Sequence, residues 1–196
     1  MPDGQSIDKK NTKEKTSKNI TEVKIAVSGK SGCGNTTVSR LVADALDLRF
    51  INYTFRSLAQ EKGLNLKTIM ELAEKDDSWD KEVDNHQVEL ARKEGGCVLG
   101  SRLAIWMLQE ADLKVYLTAR PETRAKRIQS REGGPLGNIA KFTTARDKQD
   151  HKRYLRIYNI NNDDFAFADL VIDTDEINPG EIAEKIIAEV EKKISG

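Results

Sequence analysis

Short apolar runs alternate with amphipathic segments along most of this chain. Five of these runs have strand length and are rich in apolar and β-branched residues. They cover residues 22–29, 48–53, 96–101, 113–118 and 168–174. Strands that alternate with helices are typical of a parallel sheet covered by helices on both faces. The pattern therefore predicts an α/β fold with three layers.

The segments between these runs carry apolar residues at helical spacing. After the first run, for example, Val38, Leu41, Val42 and Ala45 recur three or four positions apart. The same reasoning predicts helices over 36–48, 54–63, 65–75, 79–93, 102–110, 120–132, 143–159 and 178–194. Three helices between the second and third strands are too many for a plain crossover. We therefore expect an inserted subdomain at about residues 54–93.

Two segments lack any periodic pattern. Residues 133–137 (GGPLG) predict a flexible break, and residues 1–20 are polar and rich in lysine. For residues 1–20, one interpretation is a basic arm that touches nucleic acid. Acidic residues interrupt it, so we favour a solvated, disordered tail ahead of a single domain at 21–196.

The overall charge narrows the choice of partners. The chain has 32 acidic and 32 basic residues, so no global charge attracts nucleic acid or an anionic membrane. Its two cysteines form no CxxC pair, which argues against a zinc site or a disulfide framework and fits a reducing cytosol. No apolar run reaches membrane-spanning length. We expect a cytoplasmic monomer that binds small molecules.

A glycine-rich stretch between the first strand and its helix carries the clearest chemical signal. Residues 29–36 (GKSGCGNT) follow the phosphate-loop pattern G-x-x-x-x-G-K-[ST], except that asparagine replaces the lysine. Backbone N–H groups of such a turn and the start of the next helix bind anions. The predicted ATP-phosphate ligands are Gly29, Lys30, Ser31, Gly32, Cys33, Gly34, Asn35, Thr36 and Thr37. An incidental glycine turn is the alternative.

Individual side chains in this loop have distinct expected roles. The hydroxyl of Thr36, or that of Thr37, could hold a magnesium ion. Asn35 brings no positive charge, so Lys30 or an arginine from elsewhere would have to supply it. Cys33 could be a reactive thiol at a helix start, but we favour a small residue that simply fits the turn.

Several charged residues occupy positions suited to phosphate chemistry. Phosphoryl transfer needs positive charge from several sides. Arginines follow or open predicted elements, and others share a helix face: Arg56, Arg102, Arg127, Arg131, Arg146 and Arg153, with Asp150 between the last two. Asp80, Asp84 and Gln87 recur at helical spacing and could face an acceptor base. A solvated helix face is the open alternative for these three.

The chain resembles nucleoside monophosphate kinases, and most closely the archaeal-type cytidylate kinases. The similarity covers about residues 22–192. It rests on GNTTVSRL, TFRSLAQEKG, VLGSRLAIWML, RAKRIQSRE, RDKQDHKRYLRIY and DLVIDT. The chain departs from the family at two positions. Asn35 replaces the lysine of the loop, and Gly100 stands where relatives tend to carry an acidic residue.

This resemblance implies a fold and a set of roles. The family fold is a P-loop NTPase fold with a five-stranded parallel sheet, a helical acceptor-binding insert and a short lid, here about 132–145. Gly29 to Thr37 would hold the ATP phosphates, and Arg127 would lie near the ATP base. Arg56 and Arg102 would grip the acceptor phosphate. Arg131, Arg146 and Arg153 would surround the transferring group or the acceptor, and Asp150 would help to hold the acceptor's ribose or base.

The expected activity follows from the resemblance. It is ATP- and Mg²⁺-dependent phosphorylation of CMP, and of dCMP, to the diphosphate. Two alternatives remain at this point: a kinase for another nucleoside monophosphate, and a nucleotide-binding regulator without turnover, which Asn35 and Gly100 would favour.

Overall fold

The computed structural model describes residues 19–195, which form a three-layer α/β fold around one parallel sheet. The predicted tail at 1–20 therefore lies outside the described residues, apart from Asn19 and Ile20. Ile20 opens a short 3₁₀ helix and packs against the core. The strands are β1 (Lys24–Gly29), β2 (Arg49–Ile51), β3 (Cys97–Gly100), β4 (Leu113–Thr118) and β5 (Leu170–Asp173).

The sheet has the strand order β2-β3-β1-β4-β5, and all of its pairings are parallel. Side chains of β1 alternate between the two faces, because successive residues of a strand point in opposite directions. Ile25 and Val27 enter the core on one face, and Ala26 enters the core on the other. The α/β class, the five strands and their parallel arrangement are therefore confirmed.

Eight α-helices connect and cover these strands within the described residues. They are α1 (Asn35–Ala45), α2 (Phe55–Glu61), α3 (Leu66–Ala73), α4 (Ser78–Arg92), α5 (Ala104–Met107), α6 (Pro121–Glu132), α7 (Leu136–Tyr158) and α8 (Pro179–Ser195). Helices α1 and α8 pack on one face of the sheet, whereas α4 and α5 pack on the other. A smaller apolar cluster joins α2, α3 and α4.

Helix α7 begins seven residues earlier than predicted and shortens the predicted flexible break. The interruption after α6 is only residues 133–135. Thr143 and Thr144 were expected to open the helix, but each hydroxyl donates to the carbonyl four residues back, at 2.8 Å and 3.0 Å. Threonines that bond backwards in this way are accommodated inside a helix. The predicted lid at 132–145 is thus mostly helical.

Helix α5 is shorter than its predicted segment at 102–110, because it covers one turn only. Its position matters for the site, since the buried Ser28 hydroxyl at the end of β1 accepts a hydrogen bond from the Ile105 N–H at 3.1 Å. This contact fixes the segment after β3 beside the segment after β1. None of the helices in residues 19–195 is long and apolar enough to cross a membrane.

Candidate active site

The loop between β1 and α1 has the backbone of an anion-binding turn. Gly32 and Gly34 have φ angles of +87° and +99°, which side chains other than glycine rarely adopt. Gly34 precedes α1, and no side chain caps the helix start. The N–H groups of the first helical turn are therefore left for another acceptor. Such a turn is suited to hold phosphate oxygens.

Close packing explains why glycine stands at positions 29 and 32 of this loop. A Cβ added at Gly29 would lie 2.5 Å from the Leu117 carbonyl oxygen, so no side chain fits there. A Cβ at Gly32 would lie 2.8 Å from the Cβ of Arg124. The loop is thus pressed against β4 on one side and against α6 on another.

Asn35 holds the two ends of the loop together. Its Nδ2 donates to the Gly29 carbonyl at 2.6 Å. Its Oδ1 is buried and has no hydrogen-bond partner within residues 19–195. The Asn35 side chain is therefore turned onto the loop backbone. A lysine at this position would instead bring a positive charge to a bound phosphate.

Two arginines of α6 donate hydrogen bonds to carbonyl groups of the loop, and only one of them, Arg127, was predicted from the sequence. Arg124 donates to the Ser31 carbonyl at 3.2 Å, and Arg127 donates to the Gly32 carbonyl at 3.4 Å. Arg127 also donates to the Thr174 hydroxyl at 2.9 Å. Because N–H and C=O point in opposite directions across a planar trans peptide, carbonyls that face backwards help to direct N–H groups forwards.

Arg124 is nearly buried and makes a two-pronged ion pair with Asp147 of α7. The two guanidinium–carboxylate distances are 3.2 Å and 2.5 Å. Arg124 therefore connects the loop, α6 and α7. One sequence signal could have revealed it, since Arg124 stands four residues before the buried Ile128 and so lies on the apolar face of α6.

Cys33 is a buried residue of this loop. Burial raises the pKa of its thiol to about 11, so the group is protonated at neutral pH. A thiolate is required for nucleophilic reactivity. The structure therefore favours the interpretation that Cys33 is a small residue that fits the turn.

Three of the predicted arginines converge around Asp150. Arg102 Nη1 lies 2.9 Å from Asp150 Oδ2, and Arg153 Nη2 lies 2.9 Å from Asp150 Oδ1. Burial and the nearby positive charge of Arg102 lower the pKa of Arg146. We call Arg102, Arg146, Asp150 and Arg153 the arginine cluster. The cluster contains three positively charged guanidinium groups and one negatively charged carboxylate.

The loop and the arginine cluster face each other across one small cavity. Gly29 and Lys30 of the loop line it, as do Arg102 and Asp150 of the cluster. The other lining residues are Tyr116, Asp147 and Asn162. A phosphate held by the loop would thus lie beside groups that can hold a second phosphate.

Asp80, Asp84 and Gln87 lie on the inward face of α4, so the alternative of a solvated helix face is wrong. Asp80 and Gln87 are only 3% and 2% exposed. Asp84 accepts from the Tyr158 hydroxyl at 2.8 Å and from Gln87 Nε2 at 2.9 Å. Burial raises the pKa of Asp84 to about 6.

This face of α4 also contains polar atoms that lack partners. Asp80 Oδ2 and Gln87 Oε1 on this face, and Arg153 Nε of the neighbouring α7, are buried without a hydrogen bond within the described residues. Arg153 Nε lies 3.2 Å from Asp80 Oδ1, but the pair lacks hydrogen-bond geometry. Unpaired buried polar groups are costly, and a bound ligand is one explanation for them.

The remaining predicted residues are more exposed. Lys30 Nζ lies 2.7 Å from Asp163 Oδ1. Arg56 is exposed at the start of α2, and Arg131 is exposed at the end of α6, where it pairs with Glu132. The structure therefore brings Lys30 to the cavity but leaves Arg56 and Arg131 outside the arginine cluster.

The surroundings of Thr36 fit a magnesium ion that takes most of its ligands from phosphate and water. Thr36 is exposed, and its hydroxyl lies 3.4 Å from Asn52 Nδ2. No group of three or more His, Cys, Asp or Glu in residues 19–195 could hold a metal ion by itself. Magnesium in kinase sites is usually bound through one or two carboxylates together with substrate phosphates and water, so the Thr36 hydroxyl would supply one protein ligand only.

Gly100 ends β3 where two elements approach closely. A Cβ at this position would lie 2.6 Å from Ser39 Oγ of α1, so the site has no room for an acidic side chain without rearrangement. Asn52 instead donates to the Gly100 carbonyl at 2.6 Å. Asn52 was not among the residues predicted from the sequence, although residues that follow the carboxyl ends of parallel strands commonly face the ligand.

The chain combines a parallel sheet, a phosphate loop after β1, an arginine cluster and a helical segment across from the loop. This combination defines a P-loop kinase. Solved structures support this fold. A shikimate kinase from Acinetobacter baumannii superposes with a TM-score of 0.59 at 20% identity over 88% of this chain and 94% of its own. An uncharacterized protein from Eubacterium ventriosum gives a TM-score of 0.64 at 17% identity over 87% of this chain and 99% of its own.

The chain belongs to the cytidylate kinase-like family, whose sequence profile matches residues 24–176. It is 50% identical over 175 residues to cytidylate kinase 2 of Borreliella burgdorferi, across 87% of this chain and 97% of that protein. It is 36% identical over 173 residues to cytidylate kinase of Archaeoglobus fulgidus, across 87% and 96%. The family resemblance seen in the sequence is confirmed.

Proposed function

We propose that this protein transfers the terminal phosphoryl group of ATP to the phosphate of CMP, and also of dCMP, to give the diphosphate. Membership of the cytidylate kinase-like family supports the reaction. The single observation that carries it is the cavity in which Gly29 and Lys30 face Arg102 and Asp150. Donor and acceptor phosphates placed on its two sides would lie next to each other, as direct transfer requires.

The loop would hold the ATP phosphates. Backbone N–H groups from Gly29 to Thr37 supply hydrogen bonds, and Arg124 and Arg127 keep the loop carbonyls turned away. Thr36 would hold Mg²⁺, which neutralises charge on the donor phosphates when it is bound. Arg127 would lie near the ATP base.

The arginine cluster would bind the acceptor phosphate and stabilise the charge on the transferring group. Arginine forms strong, two-pronged hydrogen bonds with phosphate, and a buried site strengthens them. Arg102, Arg146 and Arg153 therefore take these roles, and Arg56 and Arg131 would complete the site once nucleotides are bound. No general base is needed, because the attacking oxygen of the acceptor phosphate is already an anion.

The polar face of α4 would recognise the base. Asp84 carboxylate oxygens, Asp80 Oδ2 and Gln87 Oε1 are acceptors. The 4-amino group of cytosine is a donor, whereas uracil has a carbonyl oxygen at that position. A site rich in acceptors therefore favours cytosine, because an acceptor placed opposite an acceptor would leave both unpaired.

A coupled assay for ADP formation tests the proposal. CMP should give the highest kcat/KM when CMP, dCMP, UMP, AMP and shikimate are compared at equal concentration. A higher value for AMP would point to a kinase for another nucleoside monophosphate. Tight ATP binding without ADP formation would identify the second candidate, a nucleotide-binding regulator, which the inward-turned Asn35 side chain favours.

We further propose that the protein works in the cytoplasm as a monomer and has no nucleic-acid or membrane partner. The balanced charge and the two separate, buried cysteines support this proposal.

A further inference from the structure

The phosphate loop has one charged side chain, and it stands at an unusual place. Among residues 29–37 only Lys30 is charged, and it occupies the second position of the loop. Asn35, at the position usually taken by lysine, is bonded to the Gly29 carbonyl. Any positive charge that the loop itself gives to a phosphate must therefore come from Lys30.

Lys30 forms an ion pair with a half-exposed carboxylate that also contacts α7. Asp163, in the segment between α7 and β5, lies 2.7 Å from Lys30 Nζ through Oδ1. Its Oδ2 lies 3.1 Å from His151 Nδ1 of α7. His151 Nδ1 also lies 3.1 Å from Asn162 Oδ1. The carboxylate thus contacts a cation on one side and the long helix on the other.

The geometry points to Asp163, supported by His151, as a positioning residue that holds the Lys30 ammonium at the edge of the cavity. An ammonium group has three N–H donors, so one can remain on Asp163 while two reach phosphate oxygens. A lysine held in place loses less side-chain freedom when the phosphate arrives. This inference rests on the proposed kinase function and assigns a role to two residues outside the predicted site.

The arrangement also connects the two halves of the site. Lys30 belongs to the ATP loop, whereas His151 follows Asp150 of the arginine cluster on α7. A change in the position of α7 would therefore move the carboxylate that orients Lys30.

A double-mutant cycle tests the inference. Lys30→Met, Asp163→Asn and the double variant are compared with the unaltered protein for kcat and for KM with ATP and with CMP. Lys30→Met should lower kcat by about 100-fold, as for loss of one charged transition-state contact. Asp163→Asn should lower kcat by about 10-fold, leave KM for CMP unchanged and have no further effect in the Lys30→Met background.

Two further variants serve as controls. Asp163→Glu should recover most of the lost kcat, because it restores a carboxylate. Asp164→Asn removes the charge of the exposed neighbouring residue and should leave kcat unchanged. The inference is overturned if Asp163→Asn has the same effect with and without Lys30, or has no effect on kcat at all.

ATP binding measured by calorimetry on the same four proteins separates this inference from the proposed function. If the unaltered protein forms no ADP with any nucleotide, the proposed function fails. The binding cycle still decides the role of Asp163, because its contribution to ATP affinity should also vanish when Lys30 is replaced. Independent contributions of the two residues to ATP affinity would refute the pairing.

Discussion

Replacement of Arg124 by methionine should strongly destabilise the protein, although the substitution keeps most of the side-chain volume. The guanidinium is nearly buried, pairs with Asp147 through two contacts and donates to the Ser31 carbonyl. Removal of one partner from a buried ion pair leaves an uncompensated charge and costs about 3–5 kcal/mol. The expected loss in the free energy of unfolding is in that range.

The matched control is Arg131→Met on the same helix. Arg131 also pairs with an acidic residue, but both partners are largely exposed, at 64% and 58%. Exposed ion pairs contribute about 0–1 kcal/mol, so this variant should be nearly as stable as the unaltered protein. The two variants differ in burial and in the contacts that Arg124 makes with Asp147 and the Ser31 carbonyl, so their difference measures what the buried contacts contribute.

Urea denaturation of the nucleotide-free proteins, followed by circular dichroism, gives the required free energies. A third variant, Arg124→Met with Asp147→Leu, should be more stable than Arg124→Met alone, because it removes the orphaned carboxylate. The reasoning is refuted if Arg124→Met and Arg131→Met lose the same stability, or if the double variant is the least stable of the three.

Three further predictions concern the loop, the α4 face and the arginine cluster. Gly34→Val should lower ATP affinity by at least 100-fold in a titration, because φ at this position is +99°; unchanged affinity would argue against a phosphate-binding turn. Burial raises the pKa of Asp84 to about 6. Between about pH 4 and pH 6 the folded protein therefore keeps a proton that the unfolded chain has released. The free energy of unfolding consequently falls as pH rises through this interval. Asp84→Asn removes this fall, so between pH 4 and 6 the free energy of unfolding of the unaltered protein should decrease by about 2 kcal/mol relative to the variant; parallel pH curves would contradict the assignment. Arg102→Met and Arg153→Met should each lower kcat/KM for CMP by about 100-fold, and near-normal turnover in both would refute their placement beside the acceptor phosphate.

Much of the fold could be predicted from the sequence because local patterns determine it. The five apolar runs became the five strands, and Gly32 and Gly34 marked a turn that needs positive φ angles. The start of α7 could not be placed, since Thr143 and Thr144 favour a boundary until their backward hydrogen bonds are seen. Such bonds depend on the helix already being formed.

The site was only partly predictable, for a physical reason. Arg102 and Arg153 could be predicted because phosphate chemistry requires positively charged side chains. Asp150 was a candidate because it shares a helix face with Arg153 and matches the family motif. Arg124 was missed because a charged residue counts as polar in any hydropathy pattern, whereas its partner Asp147 allows it to be buried. Pairs that are distant in the sequence, such as Lys30 with Asp163, become visible only when the chain is folded.

Asp150 has a consequence for the rate at which the enzyme can turn over. In the structure its carboxylate forms an ion pair with Arg102 and accepts a hydrogen bond from Arg153. If the acceptor phosphate binds this cluster as we propose, it must share or displace this internal anion, so part of its binding free energy would be offset. The same competition would act when the diphosphate leaves, because the carboxylate can pair with the arginines again. A site with three unopposed arginines would bind its product more tightly and release it more slowly.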